Sequence, residues 1–164
     1  MHQKEKMIRP SWNEYFMEIA LLVRKRSTCI RRQIGCVIVS DKKIMSTGYN
    51  GAPAGLRHCL DTGCLREKMG IPSGQRHELC RALHAEQNAI IQAAISGINI
   101  KGSTVFCTHF PCSLCAKMLI NVRVDKIYYI EGYPDDLSKS LLLEANIPAE
   151  KIDMVVEKIS REEI

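Results

Sequence analysis

"STVFCTHFPCSLCAKMLINV", residues 103–122, changes character at its midpoint. Residues 103–109 form a short run rich in β-branched and apolar side chains, which predicts a buried strand. From Pro111 onward apolar residues recur at helical spacing, and proline suits a helix's first turn. A strand therefore feeds a helix that opens with Cys112-x-x-Cys115. The same alternation continues outward in both directions. Upstream, "HAEQNAIIQAAISG" (84–97) predicts a helix ending at Gly97. Downstream, "KIYYIEG" (126–132) reads as a strand, "DDLSKSLLLEANI" (135–147) as a helix and "KIDMVVEKI" (151–159) as a final strand. At the other end, "WNEYFMEIALLV" (12–23) is a helix capped by Ser11 after Pro10. "GCVIVS" (35–40) and "KIMSTGYN" (43–50) form a hairpin through "DKK". Helix and strand in alternation after an opening hairpin predict an α/β sandwich with a largely parallel second half.

The bulk properties agree with one packed domain over residues 1–164, its core at about 11–158. Apolar residues make up 46% and charged residues 25%, ordinary values for a globular protein. No apolar run approaches the roughly 20 residues of a membrane span. The opening "MHQKEKMIRPSWNEYF" has no secretory apolar core, so a cytoplasmic protein without a membrane partner is expected. The net charge of +5 is mild, and the basic run "RKRSTCIRR" (24–32) reads as solvated surface, not as a nucleic-acid site.

Eight cysteines are many for this length, and without an export signal metal binding or catalysis explains them better than disulfides. Cys36 and Cys107 lie in strand-like runs and read as core. Residues 51–81 lack periodicity, and so long a loop in a compact domain is functional or clamped. A metal would supply the clamp. Cys112 and Cys115, taken alone, suit redox chemistry, structural zinc or catalytic zinc. "HAE" at 84–86 decides among these. His-x-Glu followed by Pro-Cys-x-x-Cys is the signature of zinc nucleobase deaminases. One imidazole and two thiolates supply three ligands and leave a fourth position for water, whose pKa zinc lowers towards ~7. Glu86 would lie about 200° round a regular helix from His84, free to shuttle protons without ligating.

"RSTC" (26–29), "STGYNGAPAGLRHC" (46–59), "HAEQNAI" (84–90) and "PCSLCAKMLI" (111–120) together resemble the deoxycytidylate (dCMP) deaminase family, which includes late-competence operon proteins of this type. The resemblance runs from about residue 11 to 147. It implies a cytidine-deaminase-like three-layer α/β/α sandwich with a five-stranded mixed sheet. It also implies hydrolysis of dCMP to dUMP and ammonia, feeding thymidylate synthesis, in a homo-oligomer, a hexamer by preference, regulated by dCTP and dTTP. Carried onto this chain, it makes His84, Cys112 and Cys115 ligands of catalytic zinc and Glu86 the acid/base. Asn50 and Tyr133 become substrate contacts. Asn50, Gly51 and Gly55 become part of an allosteric site for a nucleoside triphosphate, with Mg2+ as its companion. It further implies a structural zinc held by Cys29, Cys59, His77 and Cys80, with Cys64 as an alternate and His58 as a weaker competitor. One departure stands out: the family usually has a small residue and glycine where this chain has Val122 and Arg123. Arginine in the left-handed turn that ends such a helix would cost about 1 kcal/mol, so a different helix end is expected.

Other deaminases of this fold, acting on tRNA adenosine or in riboflavin synthesis, share both catalytic half-motifs. The glycine-rich loop and extra cysteines favour dCMP. A non-catalytic nucleotide-binding competence accessory protein would have no use for Glu86.

Overall fold

The computed structural model describes residues 9–132, 135–154 and 156. Helix α1 (Trp12–Arg24) starts at Ser11, whose hydroxyl accepts from the Glu14 amide while the Glu14 carboxylate accepts from the Ser11 amide. This reciprocal cap satisfies two otherwise orphaned N–H groups. Strands β1 (Gly35–Ser40) and β2 (Lys43–Tyr49) follow as the expected hairpin. Its two turn residues, Asp41 and Lys42, both have positive φ, the geometry of a two-residue hairpin turn.

The aperiodic region carries only short helices: α2 (Cys59–Thr62), α3 (Leu65–Lys68) and a 3-10 turn at His77–Leu79. Regular structure resumes with α4 (Ala85–Ile95), β3 (Thr104–His109), α5 (Ser113–Asn121), β4 (Lys126–Glu131), α6 (Asp136–Glu144) and β5 (Ala149–Lys151). The last strand differs from expectation. It begins two residues before the predicted 151–159 run and ends at its first residue. Ile152 then donates to the Tyr129 carbonyl outside the strand, and residues 155 and 157–159 lie outside the described residues.

The five strands form one mixed sheet in the order β2-β1-β3-β4-β5. β1 is antiparallel to β2 and β3, whereas β3, β4 and β5 run parallel. Side-chain alternation divides the core into two layers. Val37, Val39, Phe106 and Ile130 meet Phe16, Met17 and Ala20 of α1 on one face. Cys36, Ile38, Val105, Cys107 and Ile127 meet Ala85 and Ala89 of α4, Leu119 of α5 and Leu142 of α6 on the other. This is the three-layer sandwich, and Cys36 and Cys107 are paired core residues on adjacent strands, as expected.

Two glycines let helices rest directly on the sheet. A Cβ on Gly35 would stand 2.1 Å from the Ala20 carbonyl of α1. One on Gly48 would stand 2.2 Å from the Ala85 carbonyl of α4. No side chain fits in either gap. Gly48 thus sets the seat of the helix that opens with the His84 motif.

Candidate active site

The parallel connections put the starts of α4 and α5 at the same edge of the sheet, where sites of open α/β folds gather. His84 is the N-cap of α4 and Cys112 the N-cap of α5. Both have extended backbone, so each side chain projects across its helix's first turn. His84 is fixed by a bond from its amide to the Gln87 side chain, 2.8 Å. The α5 start is fixed from α6: Asp135 accepts from the Ser113 amide at 3.1 Å, and the Ser138 hydroxyl donates to the Pro111 carbonyl at 2.7 Å.

His84 Nδ1 lies 3.3 Å from both Cys112 Sγ and Cys115 Sγ. One nitrogen and two sulfurs thus fall within 4.8 Å of one another, and among the described residues this is the one His/Cys/Asp/Glu group so gathered. The electrostatics of the trio suit a metal. The hydrogen bond from the Cys115 thiol, assisted by His84 and opposed by burial, holds the Cys112 thiol down to about 3. The same bond, together with burial, pushes Cys115 well above the ordinary thiol range. One proton is therefore shared between two sulfurs, and a cation coordinated by both would replace it. For His84, burial disfavours the imidazolium, yet the Cys112 bond and the Glu86 charge outweigh it and raise the value. Glu86, only 4% exposed, has its carboxyl raised by desolvation. Borderline-soft zinc suits this N/S2 donor set, with three protein ligands and an open fourth position.

His84, Glu86 and Cys112 line a cavity of about 180 Å³, with Cys115 buried behind them. Asn50 lines it too, but its amide is mostly committed to the fold. Its Oδ1 accepts from the Ser27 hydroxyl at 2.6 Å and the Ile34 amide at 2.8 Å, and its Nδ2 donates to the Arg32 carbonyl at 2.8 Å. One Nδ2 hydrogen remains for a ligand. Gly51 does not line the cavity; it forms a two-bond bridge to Leu83, 3.1 and 2.9 Å, which pins the glycine-rich loop beside His84. Gly55 sits at φ 82°, where a Cβ would meet nothing within 4 Å. Tyr133 lies outside the described residues.

The remaining cysteines and His77 lie around the same cavity: Cys29, Cys59, Cys64, His77 and Cys80 all line its wall. His77, however, stands edge-on to His84, with ring centroids 4.9 Å apart, and its buried Nδ1 has no partner. Cys59 instead has Cys29, Cys64 and Cys80 as its charge neighbours; burial first, and these thiols next, raise its value. His58 bonds Thr28 at 3.0 Å. His77 thus turns toward His84, while Cys29, Cys59, Cys64 and Cys80 share the cavity wall.

Sequence reasoning passed over Arg66, Arg81 and Asp135, which also line the cavity, and it read Arg31 and Arg32 of the basic run as solvated surface although both line it too. Asp135 carried a signal, as the N-cap ahead of the α6 pattern. Arg66 and Arg81 carried none, because an aperiodic loop does not reveal which of its charges turn inward.

Comparison with known proteins bears directly on this geometry. Residues 10–131 match the family model described as the cytidine and deoxycytidylate deaminase zinc-binding region. ComE operon protein 2 of Bacillus subtilis is 36% identical over 96% of this chain and 82% of its own length. The deoxycytidylate deaminase of Schizosaccharomyces pombe is 36% identical over 84% of this chain, which spans only 42% of that relative. Among solved structures, the dCMP deaminase of cyanophage S-TIM5 in complex with dCMP and dUMP superposes with a TM-score of 0.72. It is 32% identical and covers 88% of this chain and 99% of its own.

Proposed function

The chain belongs to the cytidine and deoxycytidylate deaminase family, and from that premise we propose that it hydrolyses dCMP to dUMP and ammonia, feeding thymidylate synthesis. The observation that carries the chemistry is the meeting of His84 Nδ1 with the Cys112 and Cys115 sulfurs in a cavity that also buries Glu86. The choice of dCMP rests on the relatives of that name and on the phage enzyme's complex with dCMP and dUMP.

In this reading His84, Cys112 and Cys115 hold zinc. A zinc ion bound there supplies a Lewis acid that brings water's pKa towards ~7. Glu86 takes a proton from the attacking water and delivers it to N3 of the pyrimidine as oxygen bonds to C4. The remaining water proton then passes through Glu86 to the 4-amino group. The C4–N bond breaks, and ammonia departs with the electron pair while the C4 carbonyl forms. A carboxyl whose burial favours the protonated form suits both the uptake and the return of the proton. Asn50, with its remaining N–H, is placed to bond the substrate's sugar, and Tyr133 is proposed to stack near the base.

A second, structural zinc among the loop cysteines follows from the same family reading. Cys29, Cys59 and Cys80 remain its proposed ligands; for the fourth, the edge-on contact of His77 with His84 favours Cys64 over His77. Metal analysis of a Cys64→Ser variant, losing one of two zinc ions per chain, would support this set; retention of both would exclude Cys64.

Regulation by dCTP and dTTP through Asn50, Gly51 and Gly55, with Mg2+ accompanying the triphosphate, is proposed on family grounds. So is assembly into a homohexamer, for which α4 exposes Ile91 and Ile95 and β2 exposes Ile44. Light scattering at one-chain or two-chain mass would contradict the hexamer. Among the described residues no helix is long and apolar enough to cross a membrane. All eight cysteines are free thiols, which suits the reducing cytoplasm in which we place the activity.

The test is ammonia release from dCMP by zinc-replete protein, with and without dCTP and Mg2+. Turnover supports the reading, and stimulation by dCTP supports regulation. Absence of turnover in both conditions contradicts dCMP as substrate.

A further inference from the structure

Arg66 is the anomalous charge of the cavity. It is only 7% exposed, yet its Nε has no hydrogen-bond partner among the described residues. Among the described residues the guanidinium makes one bond, a long one from Nη2 to the Pro72 carbonyl at 3.4 Å. Among the described residues no carboxylate forms an ion pair with it. The neighbouring arginines differ. Arg31 is half-buried and donates to the Ile71 carbonyl at 3.1 Å, and Arg81 is exposed and donates to the Arg57 carbonyl at 2.8 Å.

A buried, unpaired guanidinium is costly, and unlike lysine or histidine it cannot escape by losing its proton. A site that retains one has a use for an anion. The position indicates which anion. Arg66 lines the same cavity as His77, His84 and Glu86. The backbone around it is anchored by the Ile71 amide, which donates to the Arg66 carbonyl at 2.8 Å, so the fork is held by a closed turn. Its planar donors match a phosphate's oxygens two at a time.

We infer that Arg66 is the specificity-determining residue that binds the 5′-phosphate of the nucleotide substrate, so that the enzyme selects a nucleoside monophosphate over the free nucleoside. The inference rests on the deaminase reading of the cavity and adds to it the residue that recognises the anionic end. Its removal should act on binding, since the phosphate is remote from the bond that breaks.

The experiment compares wild type, Arg66→Gln and Arg66→Lys, each zinc-replete, on dCMP and on deoxycytidine. It also follows the thermal midpoint with dUMP and with inorganic phosphate. Arg66→Gln should raise KM for dCMP about 100-fold with little change in kcat, because a charge-assisted fork is lost. Deoxycytidine turnover should be unchanged, and Arg66→Lys should fall between. Both phosphates should raise the midpoint of wild type but not of Arg66→Gln. Equal losses on dCMP and deoxycytidine, or an unchanged KM for dCMP, would overturn the assignment and leave Arg66 a residue of the fold. Should Arg66→Gln fail to fold, the Arg66→Lys shift in KM decides. If wild type deaminates neither compound, the deaminase reading fails by itself. The phosphate-dependent midpoint then judges Arg66 separately: a shift equal in wild type and variants contradicts it.

Discussion

Cys112 shows how much one side chain's setting determines. At the N-cap of α5 it stands 3.3 Å from His84 Nδ1, and its hydrogen bond with Cys115 keeps it a thiolate far below the usual thiol range. A serine in its place offers a hydroxyl that stays protonated at neutral pH and binds zinc weakly. Loss of an outer-shell partner already weakens a metal site about 10–100-fold, so loss of this ligand should exceed 100-fold. We predict that Cys112→Ser retains little zinc after dialysis and loses activity in proportion, as read by metal analysis; full zinc occupancy would contradict its role as a ligand. The residues of this trio were legible in sequence because the chemistry needs specific atoms at fixed spacings. Arg66 was not, because nothing local in "CLREKMG" distinguishes an inward arginine from an outward one. Asn50, expected from sequence at a nucleotide, lines the cavity, but its first duty was not legible. Three hydrogen bonds spend it on shaping the 27–34 segment, contacts too distant in sequence to foresee.

At the scale of elements, the site depends on where two helices begin. Gly48 allows the α4 backbone to lie directly on β2, and a methyl group there would collide with the Ala85 carbonyl and the Ala89 amide. Gly48→Ala should therefore shift the His84–Glu86 turn. Overpacking of this kind costs about 1–3 kcal/mol, so a midpoint lower by about 5 °C is expected, with kcat/KM down at least about tenfold. A variant with wild-type kinetics would show that α4 need not sit so close. The end of α5 is the converse case. Arg123 takes the left-handed turn at φ 59°, and its amide bonds the Ile120 carbonyl at 2.9 Å. The helix thus ends as glycine would end it, with arginine bearing the strain, contrary to the different ending expected from sequence. Arg123→Gly should raise stability by about 0.5–1 kcal/mol, roughly 2–3 °C, with unchanged turnover. A lower midpoint would mean that the arginine side chain contributes more than its backbone costs. Hairpin, helices and parallel strands could be read from period and punctuation. The short final strand could not: the predicted run was apolar enough for a strand, but only Ala149–Lys151 has pairing partners on β4.

At the scale of the whole molecule, sheet order and cavity explain each other. The parallel neighbours β3 and β4 place the α5 start beside the end of β4, and the antiparallel hairpin carries the Gly48–Gly51 segment to the α4 start. The aperiodic 51–81 region then closes the wall with its cysteines, His77 and Arg66. Two sequence half-motifs 26 residues apart, His84–Glu86 and Cys112–Cys115, meet only because the topology brings them to one edge. That meeting is the centre of the account, and Glu86 is the residue that separates chemistry from mere metal binding. The most direct measurement is dCMP turnover, by ammonia release, for wild type and Glu86→Gln matched for zinc content. The account predicts turnover by wild type and a fall of about 10²–10⁴-fold in the variant with zinc retained. Equal rates in the two proteins, or no turnover of dCMP by zinc-loaded wild type, would contradict it.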